Sequence, residues 1–457
     1  MHPSPLVRTL RCRIRRRPGN FGLLATAIGS AGALIGEIRT QRLGSVHTIR
    51  DIEVFVDNLR HLDRVLDVIA ESTDTEVLEV IDEVRRHHVG GKIRTVSRYP
   101  VESISDLRLV YTPGVAEICR EIVESPEKAA LYTSIQRSVA IVTDGSAVLG
   151  LGDIGAVAGM PVMEGKAALL EQLVGLSGIP ILLDTRDPES VVRTVCAIAP
   201  SFGAIQLEDI AAPRCFEIEQ RLVASLQMPI FHDDQHGTAT VALAAVLTAC
   251  KRSGRDLRAS TVGQIGLGAA GATIARFVAQ ITDRPVIGAD ISDVAAQRHV
   301  EGGGRLGTID SIMAEADIVV ATTGRKGLIR PDHVRPGQIV LALSNPEPEI
   351  EPEIALARGA TFALDGKAVN NLLAYPGVLR GALDAGATSV NNAMFVAAAG
   401  AIAEFAARGG MMIPSPLDRT LHLEVTRAVA RAAVDSGVAR NRLDQDYFES
   451  RALDGGQ

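Results

Sequence analysis

Thr261-Val262-Gly263-Gln264-Ile265-Gly266-Leu267-Gly268-Ala269-Ala270-Gly271 reads as a short buried strand running into G-x-G-x-x-G, with a helix of small and apolar residues following from Ala272 to Ile281. Strand, glycine turn and helix in that order open a doubly wound α/β unit. The glycines permit a tight turn and let backbone N–H groups approach a pyrophosphate at a helix N-terminus. A further strand, Pro285–Ala289, ends in Asp290. A carboxylate at that distance accepts hydrogen bonds from ribose hydroxyls and repels a 2′-phosphate, which favours NAD over NADP. The expected NAD contacts are therefore Gly266, Gly268, Ala269, Ala270, Gly271 and Asp290. Asp317–Ala321, Ile339–Leu343 and Thr361–Leu364 supply more strands for the same sheet.

Upstream, three apolar runs each end in acids: Ile179–Leu183 before Asp184, Ala204–Leu207 before Glu208-Asp209, and Met228–Phe231 before His232-Asp233-Asp234. Such runs read as strands of a parallel sheet, whose carboxyl ends are where ligands bind. Carboxylates gathered there repel one another unless a divalent cation holds them. A second G-x-G-x-x-G, Gly150 to Gly155, follows the strand Val139–Val142. Pro161 argues against a helix directly after it, and Asp153 would repel a pyrophosphate, so a structural or substrate-side loop is expected there.

The chain has 457 residues, enough for two or three domains, and a net charge of −7 that makes nucleic acid an unexpected partner. No run is long and apolar enough for a membrane span. Arg15-Arg16-Arg17 before Phe21–Gly36 imitates an export signal, but the glycines and the alternation that follows fit a β-α-β unit better. The five cysteines lack C-x-x-C spacing and read as thiols of a cytoplasmic protein.

The first ninety or so residues carry their own pattern. Leu6–Ile14, Ile35–Leu43, Thr48–Val56 and Thr75–Val80 read as strands, Leu23–Leu34 and a helix capped by Asn58 as helices. This β-α-β-β-α-β order is ferredoxin-like. With the turn Pro18-Gly19-Asn20-Phe21-Gly22-Leu23 it resembles an ACT domain, which implies pairing between copies and a small-molecule effector. His87-His88-Val89-Gly90-Gly91-Lys92 reads as a hinge, and the tail from Val390 to Ser436 as helices broken at Pro414 and Pro416.

Tyr111-Thr112-Pro113-Gly114-Val115, the Gly150–Gly155 loop, Pro161-Val162-Met163-Glu164-Gly165-Lys166-Ala167, Leu207-Glu208-Asp209, Phe231-His232-Asp233-Asp234-Gln235-His236-Gly237-Thr238, Ser344-Asn345-Pro346 and Val369-Asn370-Asn371 occur in that order. Together, from about Lys92 to the C-terminus, they resemble the shorter bacterial type of malic enzyme. The resemblance implies proton transfers by Tyr111 and Lys166, with Asp233 pairing the lysine. It implies Mn2+ or Mg2+ on Glu208, Asp209 and Asp234, and malate contacts from Asn345 and Asn371, Asn345 also lying against the cofactor. Ala147 stands where the larger eukaryotic type carries a substrate-binding arginine. Singly, Lys166 would read as a surface charge and Tyr111 as a half-buried ring. Their company reverses that, because oxidising a 2-hydroxy acid requires a base and β-decarboxylation an electron sink.

The expected architecture is α/β in three parts: an ACT-like domain over 1–89, a substrate and metal domain over 90–249, and a Rossmann-type dinucleotide domain with C-terminal helices over 250–457. The expected activity is NAD-linked oxidative decarboxylation of malate by a regulated homo-oligomer. The alternatives are action on another 2-hydroxy diacid, or a catalytically silent ligand sensor.

Overall fold

The computed structural model describes residues 6–148, 150–367 and 369–450, and it divides the chain into two compact units, Met1–Arg94 and Thr95–Gln457. In the first unit, strands β1 (Leu6–Arg15), β2 (Leu34–Leu43), β3 (His47–Val56) and β4 (Glu76–Ile81) form an antiparallel sheet in the order β2-β3-β1-β4. Alternation decides which face is covered. Leu10, Cys12 and Ile14 of β1 are buried with Ile52, Val54 and Val56 of β3, beneath Leu24 and Ile28 of one helix and Leu62, Val65 and Ile69 of the other. On the opposite face Arg11 pairs with Asp51 at 2.8 Å and Arg13 with Glu76 at 2.7 Å.

The first helix spans Asn20–Ser30, three residues ahead of the expected start, because Gly19 makes the turn in the left-handed region at φ 89°. The second, Leu59–Ser72, is capped as expected, with Asn58 Oδ1 accepting from His61 N at 3.0 Å. The stretch that imitates an export signal is thus folded into helix and strand. His87 and His88 do not lie in an open hinge; they close a short helix, Glu83–His88, capped by Asp82. Both remain exposed, each ring bonded back one turn, to Glu83 O and Val84 O.

The second unit carries two parallel sheets. β5 (Ser138–Thr143), β6 (Ser177–Leu182), β7 (Ala204–Leu207) and β8 (Ile230–His232) are ordered β6-β5-β7-β8. β9 (Val262–Ile265), β10 (Ile287–Ala289), β11 (Arg305–Leu306), β12 (Ile318–Ala321), β13 (Ile339–Ala342) and β14 (Phe362–Asp365) are ordered β11-β10-β9-β12-β13-β14. This is the Rossmann-like order, reversing about the first strand of the unit. β11, two residues long, escapes the sequence pattern because it is too short to show a period. Every residue of β5, β7, β8, β9, β12 and β13 is buried, as continuous apolar runs covered on both faces should be.

One expectation is overturned. A helix, Ala156–Val174, does begin directly after Gly155 and runs through Pro161. The proline removes one amide donor, but burial of Met163, Ala167, Leu170 and Leu173 on one face outweighs that loss. The C-terminal part forms the helices Asn392–Arg408 and Arg419–Asp435, separated by the segment holding Pro414 and Pro416. No helix among the described residues is long and apolar enough to cross a membrane, and all five cysteines are free.

Candidate active site

Because β7 and β8 are parallel neighbours, the residues that follow them meet at one end of the sheet. Glu208, Asp209 and Asp234 each present a carboxylate oxygen, all within 4.8 Å of one another. Asp184 follows β6, on the far side of β5, and is exposed, so it does not join them. Asp209 is held at φ 53°, left-handed for a residue with a side chain, and its N–H donates to Asp234 Oδ2 at 2.9 Å. Gln206 Nε2 donates to Glu208 Oε2 at 2.7 Å. Asp209 Oδ2 and Asp233 Oδ1 are buried with no hydrogen-bond partner.

Electrostatics show what gathering these acids costs. Burial, then the charges of Asp234 and Glu208, push Asp209 up to about 8. Burial and Asp233 push Asp234 up to about 6, and burial raises Glu208 even against the pull of Lys166. Three crowded acids with an orphaned oxygen suit a hard divalent ion.

Lys166 reaches this place from the middle of the helix Ala156–Val174. Its Nζ lies 3.0 Å from Glu208 Oε1 and forms a shorter pair with Asp233 Oδ2. The ring of Tyr375 lies beneath it, 4.6 Å from Nζ to the centroid. A base needs a lowered pKa, and burial alone would lower that of Lys166. Asp233 and Glu208 outweigh burial and hold it well above the ordinary lysine value, as an ammonium. Asp233, pushed up to about 6 by burial, also accepts from Asn371 Nδ2 at 2.7 Å. Lys166, Glu208, Asp209, Asp233, Asp234 and Asn371 thus form one linked constellation.

Two expected site residues stand outside it. Tyr111 is 65% exposed at the end of the helix Ile104–Val110, and no hydrogen bond, ion pair or ring contact links it to Lys166 or to the acids. Asn345 is exposed and donates to Gly366 O at 3.1 Å. Two residues absent from the sequence reading belong inside. Tyr375 is fully buried, with its hydroxyl unpartnered. Its only local signal is its place one helical turn after Asn371. Gln206 could have been found as a polar residue in an apolar strand, two positions before Glu208 and hence on the same face.

At the other sheet, β9 runs into the glycine loop and the helix Ala269–Thr282 begins at once. Gly266, at φ 88°, has Thr322 O 2.7 Å from where a Cβ would stand, and a Cβ at Gly271 would overlap Gly266 O. At Gly268 an added Cβ meets nothing within 4 Å, which leaves room for a phosphate. Asp290 accepts from Leu267 N at 2.6 Å and from Ser292 N at 2.8 Å, so it fixes the loop as well as closing β10.

Known proteins resemble the chain in sequence and in fold. Residues 90–191 match the family profile described as malic enzyme, N-terminal domain. NAD-dependent malic enzyme 1 of Bacillus subtilis is 52% identical over 94% of this chain and 98% of its own length. NAD-dependent malic enzyme of Geobacillus stearothermophilus is 39% identical, with 94% and 95% covered. The crystal structure of malic enzyme from Pyrococcus horikoshii superposes with a TM-score of 0.75 at 37% identity, covering 80% of this chain and 94% of that one. At 52% identity to a relative along nearly the full length of both, this chain belongs to the malic enzyme family.

Proposed function

We propose that the protein converts malate and NAD to pyruvate, CO2 and NADH. The carrying observation is the contact of Lys166 with Glu208, which is itself one of three clustered acids: a proton-transfer group and a cation site share one carboxylate. The names of the Bacillus subtilis and Geobacillus stearothermophilus relatives support both substrate and cofactor.

Glu208, Asp209 and Asp234 would hold Mn2+ or Mg2+, which supplies the positive charge that polarises the nascent ketone and accepts electron density as CO2 leaves. Lys166 takes the C2 hydroxyl proton. Committing the charge of Glu208 to a cation would favour this, since it removes one of the two carboxylates that hold the ammonium form. Asp233 fixes the lysine, and Asn371 and Asn345 orient malate. Gly266, Gly268, Ala269, Ala270, Gly271 and Asp290 would hold NAD, which would supply the acceptor for the hydride lost from C2. Tyr111 then protonates the enolate carbon. A second reading gives that role to Tyr375, because its buried phenol already lies against Lys166.

Residues 90–249 are assigned to substrate and metal and 250–457 to the dinucleotide. Residues 1–89 are read as an ACT-type regulatory domain; the β-α-β-β-α-β order and the turn at Gly19 support this. Self-association is supported by exposed apolar residues Ile104, Leu109, Val123 and Leu131, in the same region as Tyr111. The free thiols fit a cytoplasmic setting.

The test is NADH formation from malate with Mn2+ or Mg2+, pyruvate being measured as product. Turnover of another 2-hydroxy diacid in preference to malate would favour the first alternative, and no turnover of any would favour a silent sensor. A chain starting near Gly90 should keep the activity and lose any response to metabolites.

A further inference from the structure

A cavity of about 540 Å³ lies between the helix Arg214–Ser225 on one side and the helices Ala269–Thr282 and Asp293–Glu301 on the other. Its size is that of a small-molecule site. None of the acids around Lys166 lines it, and neither do the glycines of the dinucleotide loop or Asp290. Phe216 and Phe395 give it aromatic walls, and Arg276 and Arg298 project to it. The Arg298 guanidinium stacks over Phe216, 4.5 Å from the ring centre.

The charges are unbalanced. Among the described residues neither Arg276 nor Arg298 has a carboxylate within ion-pair distance, whereas Arg214, Arg221, Arg305 and Arg380 in the same unit do. The acid on the wall, Glu219, is already committed: it takes His236 Nε2 at 2.9 Å and Gln235 Nε2 at 3.0 Å. What remains is two planar donors without an acceptor beside an aromatic surface.

We propose that this cavity binds a small organic anion with a flat apolar body, its acid group between Arg276 and Arg298 and its body against Phe216 and Phe395. Occupancy is coupled to the cation site through one turn. Gln235 and His236 line the cavity, and they share the segment Asp233–Gly237 with Asp233 and Asp234. The His236 ring stacks on Phe395 at 4.6 Å and 5°, so a body lying on Phe395 bears on that turn. The coupling rests on the cation reading given above; the binding does not.

The probe is 1-naphthoate, titrated calorimetrically into the full-length protein, with 1-naphthalenemethanol as its uncharged counterpart. One naphthoate per chain is expected. The alcohol should bind about tenfold or more weakly, as should naphthoate to the Arg276→Gln/Arg298→Gln double variant, which retains basal malate oxidation. No naphthoate binding, equal binding of the alcohol, or unchanged affinity in the double variant would overturn the site. The alcohol comparison needs only the parent protein, so a poorly folding variant leaves the question decidable. Saturating naphthoate should move the Mn2+ binding midpoint about fivefold or more, in either direction. Both ligands binding with no shift would overturn the coupling. Naphthoate binding without any Mn2+ binding would instead remove the cation reading and leave the cavity site standing.

Discussion

Asn371 Nδ2 donates to Asp233 Oδ2 at 2.7 Å, joining two residues 138 positions apart in the chain. The same oxygen pairs with Lys166. The other oxygen of Asp233 occupies the space that a Cβ at Gly237 would fill. The acid is therefore held at one oxygen by two donors, and the other oxygen has room only because residue 237 lacks a side chain.

Gly237→Ala should displace the Asp233 carboxylate and loosen Lys166. A shift of about 1 Å at such a place can cost about 10²-fold in rate. Lower kcat with nearly unchanged NAD affinity is expected from steady-state kinetics and cofactor titration. A variant as active as the parent would show that Asp233 need not stand where it does.

Lys166→Ala should lower kcat by about 10²–10⁴-fold, the usual contribution of a positioned proton-transfer group. NAD binding should be nearly intact, because the glycine loop lies on the other sheet. A kcat within about threefold of the parent would remove the lysine from the chemistry.

The paired tyrosines give opposite expectations. Tyr111→Phe should remove the proton donor and lower pyruvate formation by about 10²-fold or more. Tyr375→Phe keeps the ring that contacts Lys166 and should cost far less. The reverse ranking in single-turnover pyruvate release would move the acid role to Tyr375.

Metal removal should act through the raised acids, with a definite sign. Asp209 and Asp234, pushed up to about 8 and about 6, bind protons in the folded state that an unfolded chain releases near pH 4. That contribution to stability is fully present below about pH 4 and is lost as pH rises through the folded values. The metal-free protein should therefore lose stability toward pH 8, and the gain in Tm from Mn2+ should grow over the same window. Thermal unfolding with chelator and with Mn2+, from pH 5.5 to 8.5, measures this; a gain that shrinks as pH rises would contradict it.

Local signals carried most of what the sequence disclosed. Strand, glycine turn, helix and Asp290 are close neighbours in the chain, and the structure places them as their spacing implies. The acids after β7 and β8 met because those strands are adjacent, whereas Asp184 did not because β5 lies between. Strand order is set by long-range packing and leaves no mark in a single run of residues. Tyr375 stayed hidden for a similar reason: its contact with Lys166 spans more than two hundred residues. Pro161 misled because its local penalty is small beside the burial of the helix that contains it.

Electron paramagnetic resonance of Mn2+, read beside pyruvate formation, bears most directly on the shared site. One tightly held Mn2+ per chain is expected in the parent, weakened by Glu208→Gln and by Asp234→Asn, with pyruvate formation falling in step in each. Mn2+ binding and pyruvate formation that both survive the two substitutions would mean that these acids hold no catalytic cation.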